Sequence, residues 1–580
     1  MRHCRWLVVL VCTTGLYLGP ALAAATPAPG DLRSAGAVSF PISCKAEVQA
    51  EFNRAVALLH SFFYEESRRL FTVIAERDPG CAMAYWGIAQ TWWHPIWTPP
   101  LPEEFAAGGT AAAKAMALQA TPRERGFIEA INAYYVTPDT TSAAPVGQSC
   151  HGPVGTPARV VAYEASMHQL HEHYPGDFEV QVFHALAMLA VGYATPTDTT
   201  LARQKQAGAL LERLWKQNPK HPGVAHYIIH SYDYPSLARR ALAAAQAYAA
   251  IAPWVPHALH MPSHIFTRLG MWDDAVSSNL ASAEASRAYA AQRGRTAAES
   301  EELHALDYLV YSYLREARDA DARSVLDRVT NTKETFPALD FVGAYSLAAV
   351  PVRYTLEREA WQEAAAAPIP SRAQWARYPF TRAMFEYGHA LGRIHTGDLA
   401  GARIAIGRMR ALREATSDTK FDYFRRHLDV QAQAAEAWLA HAEGHDTQAV
   451  AQLKAGADVE DALGKHPVSP GALMPLREQL GALLLELKQP RDALAAYEAA
   501  LKIYPARFRG LYGAGLAAEQ SGDSRRASNY FAQLVKQTGT TESSRIEVAH
   551  ARDYLRTHPA GTSAGTGRIG NDQLALATMQ

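Results

Sequence analysis

The sequence predicts an all-α chain folded as an α-solenoid, a superhelix of helical hairpins. Amphipathic, alanine-rich stretches of about 12–16 residues alternate with short breaks at Gly, Asp or Pro, and strand signals are almost absent. Small and aromatic residues near the C-terminus recur at a fixed spacing, as Gly481 and Gly515 do. Because 580 residues are too many for one ordinary core, a stacked array of repeats is the expected architecture.

The N-terminus has the features of a secretory signal peptide over residues 1–23. Arg2 and Arg5 precede an apolar run, and Ala21 and Ala23 supply the small residues of a cleavage site. The run is too short to cross a membrane comfortably, and no later stretch approaches the length of a transmembrane helix. We expect an exported protein, periplasmic or secreted, without a transmembrane segment after the signal and with a flexible segment over 24–43.

Residues 44–136 are predicted to form the first hairpins, followed by an insertion loop over 137–158. Cys44 and Cys81 flank a helical hairpin, and an exported protein folds in an oxidising compartment. These two are therefore the preferred disulfide pair, which leaves Cys150 over. The alternative is that all three are ordinary unpaired residues.

The C-terminal segment 464–541 carries the repeat most clearly. Gly481 in a first helix and Tyr497 in a second helix recur, after one repeat length of about 34 residues, as Gly515 and Phe531. The pattern resembles the tetratricopeptide repeat (TPR), a helix–turn–helix unit. The same unit fits a central TPR-like array over 159–463 and, more loosely, the N-terminal hairpins. A terminal helix and a disordered tail are expected over 542–580, and the stretch 465–471 ("KHPVSPG") is interpreted as a turn joining two repeats.

Histidines fall at matching places of two consecutive units of the central array. The fifth and ninth places of both units carry His226, His230, His260 and His264. Residues four apart share one face of a helix, so these side chains are predicted to form a two-by-two patch across neighbouring helices. In the TPR family such places commonly face the concave groove, and the resemblance therefore implies a site in that groove.

The same spacing places further polar residues around the patch. The candidates for lining the groove or orienting its ligands are Asp233, His257, Arg268, His304, Asp307 and Tyr311. His221 precedes its unit and is left out of the site. His60 and His94 hold one matching place of the N-terminal units and are expected at the other end of the groove. Prolines within the predicted helices, Pro235 and Pro262, are expected to shorten or kink them.

The four matched histidines are predicted to bind a metal ion. Neutral imidazole is a common ligand of Zn, Cu and Fe, and neighbouring helices pack about 8–10 Å apart, a gap that two histidines can bridge through an ion. Asp233 or Asp307 would be a carboxylate ligand or the acceptor that orients an imidazole. In the metal-free alternative the histidines hydrogen-bond between helices. Arg353 either reaches into the groove as a carboxylate-binding fork or forms a buried salt bridge.

Three functions remain open from these residues. The first is an exported TPR binding protein whose concave groove carries a His/Asp cluster, a candidate metal site, and takes a peptide, a protein or a small polar ligand. The second is a metal-dependent enzyme acting in that groove, and the third is a protein-interaction scaffold without metal. A net charge of −1 gives no basic footprint for nucleic acid. The sequence has no phosphate-binding loop, serine-nucleophile elbow or Cys-x-x-Cys motif.

Two further motifs narrow the resemblance. The stretches "HPGVAHYIIH" at 221–230 and "PHALHMPSHIF" at 256–266 resemble those of exported bacterial TPR proteins. The resemblance covers about residues 44–540 of the chain. It implies the architecture and export of the protein, but no reaction.

Overall fold

The computed structural model describes residues 35–138, 148–149, 152–153, 157–195, 198–539 and 543–559. The α-helices of these residues are α1 (Gln49–His60), α2 (Tyr64–Arg77), α3 (Ala82–Trp93), α4 (Pro102–Ala117), α5 (Pro122–Val136), α6 (Pro157–His173), α7 (Phe178–Ala194), α8 (Ala202–Gln217), α9 (Pro222–Tyr232), α10 (Leu242–Ile251), α11 (Pro256–His260), α12 (Pro262–Leu269), α13 (Trp272–Gln292), α14 (Ser300–Arg315), α15 (Asp319–Asn331), α16 (Phe341–Glu357), α17 (Trp361–Ala366), α18 (Gln374–Arg377), α19 (Pro379–His395), α20 (Leu399–Ala415), α21 (Asp422–Ala442), α22 (Asp446–Leu463), α23 (Leu476–Glu486), α24 (Pro490–Ile503), α25 (Phe508–Gln520), α26 (Ser524–Thr538) and α27 (Ile546–Thr557). Short 3-10 helices lie at Ala46–Val48, Ala238–Ala241 and Thr419–Phe421. The strands are β1 (Gln148–Ser149), β2 (Gly152–Pro153), β3 (Ala298–Glu299) and β4 (Thr335–Phe336).

The described residues form an all-α array of stacked helical hairpins, which confirms the predicted fold class. Each helix packs mainly on its neighbours along the chain, as α7 does on α8, α13 on α14 and α25 on α26. The strands form only two short pairs, β1 with β2 antiparallel and β3 with β4 parallel. Two large clusters of buried apolar side chains run through the N-terminal and C-terminal halves of the array.

Glycine stands at two matching positions of the C-terminal repeat, Gly481 and Gly515, because an aromatic ring occupies the space where a side chain would lie. A Cβ atom on Gly481 would lie 2.6 Å from the ring of Tyr497, and one on Gly515 would lie 2.5 Å from the ring of Phe531. The two contacts are equivalent and lie one repeat apart. They give the physical reason for the glycine–aromatic spacing that identified the repeat in the sequence.

The N-terminal segment is packed where the structure describes it. Residues 1–34, which include the predicted signal peptide, lie outside the described residues, but 35–43 contact the array. Phe40 is fully buried, and the Ala37 amide donates a hydrogen bond to the Lys220 carbonyl at 3.0 Å. The expectation of a flexible segment over 24–43 is therefore wrong for 35–43, because Phe40 fills an aromatic pocket. Its ring neighbours are Phe52, Trp86, Phe127 and Phe183.

Cys44 and Cys81 form a disulfide, as the sequence predicted. The bond joins the chain just before α1 to the residue before α3, and so it closes the first hairpin on itself. The Asp78 side chain beside it accepts a hydrogen bond from the Lys45 amide at 2.9 Å. Cys150 lies outside the described residues, and so does most of the predicted insertion loop.

The connection between α22 and α23 does more than join two repeats. Residues 464–473 cross to the central helices, where the Gly471 carbonyl accepts a hydrogen bond from the Arg353 guanidinium at 3.1 Å. Lys465, in the same segment, has a side chain that is only 2% exposed. The stretch joins two helical hairpins, as interpreted from the sequence, and its residues also fill space between repeats that are distant along the chain.

The C-terminal end agrees with the prediction as far as it is described. α27 is the terminal helix that the sequence predicted, and the tail from 560 onward lies outside the described residues. Among the helices of the described ranges, none combines the length and the apolar composition that crossing a membrane requires.

Candidate metal centre

Four helices near the middle of the chain carry the histidines. α9 ends at Tyr232, shortly before Pro235, and α11 ends at His260 before α12 begins at Pro262. The predicted effect of both prolines is thus present. Met261 between α11 and α12 nevertheless keeps right-handed helical angles, so the two helices preserve the four-residue spacing of His260 and His264.

The six histidines divide into two triads, each of which brings one ligand atom per residue within 4.8 Å of the others. The first triad is His226, His230 and His257, and the second triad is His260, His264 and His304. The sequence suggested that His226, His230, His260 and His264 form one set, but in the structure they are divided between the two triads. Each i,i+4 pair is completed instead by the histidine in the second place of the following unit.

The first triad converges on the Nε2 atom of His226. The Nε2 atoms of His230 and His257 lie 3.0 Å and 3.2 Å from it. The Nδ1 atom of His226 lies 2.7 Å from the His60 carbonyl, which can only accept, so Nδ1 carries the proton. In the neutral ring, Nε2 of His226 then presents one lone pair to two other imidazoles, and one lone pair cannot accept two hydrogen bonds of ordinary geometry.

The second triad holds two lone pairs against each other. The Nε2 atoms of His260 and His264 are 3.1 Å apart. His264 Nδ1 donates to the Asp233 carboxylate at 2.9 Å, and His260 Nδ1 lies 2.7 Å from Asn279 Oδ1. Because each Nδ1 is a donor, each neutral ring has its lone pair on Nε2.

The side-chain orientation of Asn279 fixes this tautomer. Its Nδ2 atom donates to the Ala275 carbonyl at 2.7 Å. Exchanging the amide nitrogen and oxygen would place two acceptors at that distance, so Oδ1 must face His260. The proton of His260 is therefore on Nδ1, and its Nε2 lone pair is directed at the place where a cation would lie.

The short Nε2 separations, two in the first triad and one in the second, match those of ligands on one ion. Two nitrogens bound at about 2.0–2.1 Å lie about 2.9–3.4 Å apart in octahedral or tetrahedral geometry. The three Nε2 pairs lie 3.0, 3.1 and 3.2 Å apart. Three protein ligands leave at least one coordination position for a further group.

Burial keeps these imidazoles in the protonation state that metals bind. Removal from water lowers the pKa of His230 and His257 to about 3 and that of His264 to about 4. It also lowers the pKa of His226 and His260 well below the ordinary range. An imidazole must be neutral to coordinate through nitrogen, so the sites need no deprotonation step at neutral pH.

Asp233 joins the second triad to two basic residues. Its carboxylate accepts from His264 and, at 2.8 Å, from Arg268 Nε, and Lys465 Nζ lies 3.7 Å away. Burial acts to raise the pKa of Asp233, but Lys465, Arg268 and His264 together hold it well below its usual range. The ionised carboxylate thus orients the imidazole of His264, which is one of the two roles expected of Asp233, and Arg268 serves as its partner.

A third group, the carboxylate cluster of His60, Glu179 and His221, has the same residue types but a different arrangement. Both Nε2 atoms face Glu179, at 3.1 Å from His60 and 3.0 Å from His221. The Val224 amide donates to His221 Nδ1 at 3.2 Å, and Tyr227 OH lies 2.9 Å from His60 Nδ1. Each Nε2 is therefore a donor to the carboxylate, and the cluster is satisfied without a cation.

The triads are buried and do not line an open groove. His226, His260, His264 and His304 have no exposed surface, and His257 is 3% exposed. The ring of Phe62, at the end of α1, packs 4.4 Å from that of His226, and residues 464–473 cover the other side near His264. The expected open groove differs from this arrangement because N-terminal and C-terminal elements fill the inside of the superhelix.

Two of the expected site residues lie apart from the triads. Asp307 pairs with Arg353, whose Nε atom is 3.0 Å from the carboxylate, and both side chains are fully buried. Arg353 therefore forms the buried salt bridge that was one of its two expected roles, and Asp307 is paired with it instead of facing the histidines. Tyr311 lies beneath the guanidinium of Arg315, at 4.1 Å, and not among the histidines.

The two N-terminal histidines, His60 and His94, lie at different sites. His60 joins the carboxylate cluster, whereas His94 packs its ring 4.8 Å from that of Tyr64. His221 lies outside both triads, and its fully buried ring caps the start of α9. The sequence signal for that role is its place directly before Pro222, the first residue of the helix.

Two neighbours of the triads were missed in the sequence. Glu301 lies with one carboxylate oxygen 3.5 Å from His257 Nδ1, and Tyr308 lies with its hydroxyl 3.4 Å from His264 Nε2. Both stand at helical spacing from His304, three residues before it and four after it. That spacing was present in the sequence, but it becomes informative only once His304 is known to belong to a triad.

Comparisons with known proteins add little to this description. No family model and no curated protein matches the chain. Among solved structures, it is similar to the APC/C hetero-tetramer Cut9–Hcn1, with 11% identity over 88% of this chain and 84% of that one and a TM-score of 0.39. It is also similar to an IFIT1 monomeric mutant with Gppp-AAAA, with 11% identity over 78% and 90% and a TM-score of 0.35. A third structure, the TPR domain of P58(IPK), gives 11% identity over 65% and 99% and a TM-score of 0.21. At these values the likenesses say nothing about function.

Proposed function

We propose that the protein is an exported metal-binding protein that holds one transition-metal ion in each histidine triad. The observation that carries the proposal is the pair of facing Nε2 atoms of His260 and His264, 3.1 Å apart. Both rings already use Nδ1 as a donor, so both lone pairs point to one place. A cation between them turns a repulsive contact into two coordinate bonds.

A shared proton is the alternative way to relieve the contact. It would make one imidazolium in a fully buried site. Burial lowers the pKa of His264 to about 4 and that of His260 well below 6.5, which opposes a proton at neutral pH. A metal ion would bind three neutral imidazoles, whereas a shared proton would engage only two rings and charge one of them.

The ligand set favours metals that bind imidazole. Three neutral nitrogens with no thiolate suit Zn, Cu or Fe better than Mg or Ca, which prefer oxygen ligands. Asp233 behind His264 and Glu301 behind His257 place carboxylates next to Nδ1 atoms. Such acceptors orient metal-bound imidazoles and raise their basicity.

Export is the second part of the proposal. It is supported by the signal-like residues 1–23 and by the disulfide between Cys44 and Cys81, since disulfides persist mainly in oxidising compartments.

A metal-dependent enzyme is the second candidate. Three ligands per ion leave a position for water or a substrate, and Lys465 and Tyr308 stand beside the second triad. The third candidate, a protein-interaction scaffold without metal, is the interpretation that remains if no ion is bound.

Metal analysis of the full chain, purified from its native compartment, tests the proposal. We expect two ions per chain in the wild type and one each in H226A/H230A and H260A/H264A. His173→Ala is the matched control, since His173 is exposed and outside every cluster. Circular dichroism establishes that each variant is folded. Wild-type protein without stoichiometric metal, in cells supplied with Zn, Cu and Fe, would overturn the proposal.

A further inference from the structure

Tyr308 stands where a fourth ligand of the second triad would stand. Its hydroxyl oxygen is 3.4 Å from His264 Nε2, and its ring packs 4.8 Å from that of His260. It follows His304 by four residues on α14, so both side chains leave the same face of that helix. The second triad and Tyr308 thus consist of two i,i+4 pairs that face each other.

The separation fits coordination. Ligand atoms on one ion with bonds of about 2.0–2.1 Å lie about 2.9–3.4 Å apart, and the Tyr308 hydroxyl is at the upper end of that range from His264 Nε2. The tyrosine is fully buried, so its hydroxyl does not reach bulk water. Its position is fixed by packing between α12 and residues 464–473.

A cationic side chain stands next to the same oxygen. Lys465 Nζ is 3.5 Å from the Tyr308 hydroxyl and donates to the Ser469 carbonyl at 3.0 Å. Asp233 lies 3.7 Å from Lys465 Nζ, so the ammonium group is held between that carboxylate and the Tyr308 hydroxyl.

We propose that Tyr308 is a phenolate ligand of the metal ion in the second triad, together with His260, His264 and His304. The inference rests on the proposed function and specifies one of its two sites. On binding, the phenol O–H bond breaks, an O–metal bond forms and one proton is released to solvent, with no change of oxidation state. An anionic oxygen with three imidazoles selects a ferric or cupric ion over softer cations.

In the first triad a tyrosine hydroxyl stands at a different ring atom, because that of Tyr193 lies 3.5 Å from His230 Nδ1 whereas His230 Nε2 faces His226. The residue that follows His257 by four positions is Met261, where the second triad has Tyr308. The proposal therefore predicts that the phenolate-to-metal charge-transfer band, which gives ferric and cupric phenolates their visible colour, comes from the second site. The two triads, built from the same repeat places, are distinguished by this one difference.

Visible absorption and resonance Raman spectra of the full chain test the assignment. Apo-protein is loaded with Cu(II) or Fe(III) salts, and metal content is measured on the same samples. We expect a charge-transfer band with phenolate vibrations in the wild type and in H226A/H230A, and its loss in H260A/H264A. We also expect release of one additional proton on loading, relative to Tyr308→Phe.

Three variants separate ligation from packing. Tyr308→Phe should keep the fold and the three histidine ligands, lose the band and bind the ion at least 10-fold more weakly, on the order of the loss of one supporting group at a metal site. Tyr308→His restores a nitrogen ligand and should recover affinity without the band. Tyr311→Phe, on the same helix but outside the triad, should leave the spectrum unchanged.

Two results would contradict the role of Tyr308 as a ligand, and a third would contradict metal binding itself. Stoichiometric metal in the second triad without a phenolate band, or a band that survives in Tyr308→Phe, overturns the role of Tyr308 but leaves the metal sites standing. Absence of bound metal in every sample overturns both proposals together.

Discussion

His260 and His264 face each other through Nε2 atoms 3.1 Å apart, although each ring already donates a hydrogen bond through Nδ1. The acceptors are Asn279, on α13, and Asp233, the residue that directly follows α9. These two acceptors hold the proton of each imidazole on Nδ1. The carboxylate cluster shows the opposite solution, because there each imidazole directs its donor inward, to Glu179.

Asp233→Asn should weaken metal binding in the second triad. The substitution removes the charge that orients His264 and balances Arg268 and Lys465. Loss of such an acceptor typically costs about 10–100-fold in metal affinity. Competition titration with a chromogenic chelator measures it, with the first triad as an internal reference. Asp327→Asn, an exposed residue paired with Arg323, is the control, and equal affinities in both variants would contradict this role of Asp233.

Gly223→Ala should destabilise the contact between α1 and α9. A Cβ atom there would lie 2.6 Å from His60 Nδ1, so the helices must move apart. Overpacking of this kind costs about 1–3 kcal/mol in the free energy of unfolding. Urea unfolding followed by circular dichroism gives the value. Gly176→Ala is the matched control, since nothing lies within 4 Å of its added Cβ; a comparable loss in that variant would mean that close packing is not the cause.

Protonation of Glu179 should make the protein less stable at acidic pH. Burial alone would raise the pKa of Glu179, but His221 and His60 outweigh it and lower the pKa to about 2. The carboxylate therefore stabilises the fold fully above pH 4.5, its ordinary value, and the contribution is lost as the pH falls from there through 2. A shift of about 2.5 units corresponds to about 3 kcal/mol.

Denaturant unfolding of the apo-protein at a series of pH values measures that loss. In Glu179→Gln the free energy of unfolding should be lower at neutral pH and should fall less steeply between pH 4.5 and 2. The exposed Glu172→Gln serves as control and should keep the wild-type slope. An unchanged acid limb in Glu179→Gln would show that other carboxylates govern it.

Removal of the disulfide should lower stability without disturbing the metal sites. Cys44 and Cys81 are 37 residues apart in sequence, and closing a loop of that size stabilises a fold by about 2–4 kcal/mol. C44S/C81S should lose that amount in denaturant unfolding, and reduced wild-type protein should match it. Metal content should stay at the wild-type value; a loss of metal would indicate that the first hairpin also positions the triads.

Much of the fold was predictable because local patterns encode it. The Gly481–Tyr497 and Gly515–Phe531 contacts correspond to a spacing that the amino-acid sequence itself displays. The disulfide followed from the two cysteines that flank one hairpin. In the site, the i,i+4 histidine pairs of α9 and of α11–α12 were correctly placed on single faces, since helical geometry alone decides that.

The partners of those pairs depended on how neighbouring units pack. His257 and His304 each complete the triad of the preceding unit, although they were expected only near its edge. Asp307 followed the same spacing and still points to Arg353 instead. A place in the repeat fixes the face of a helix, but the curvature of the superhelix decides which side chains meet.

The sequence by itself determined an all-α repeat array, its disulfide and a periodic set of histidines, because each depends on spacings within one or two helices. Only the tertiary structure decided that the histidines form two triads, that Phe62 and residues 464–473 bury them, and that Tyr308 stands beside the second. The physical reason is that small rotations accumulate from hairpin to hairpin. They bring together segments far apart along the chain, such as those of Tyr308 and Pro467, which are separated by 159 residues and for which no local pattern carries a signal.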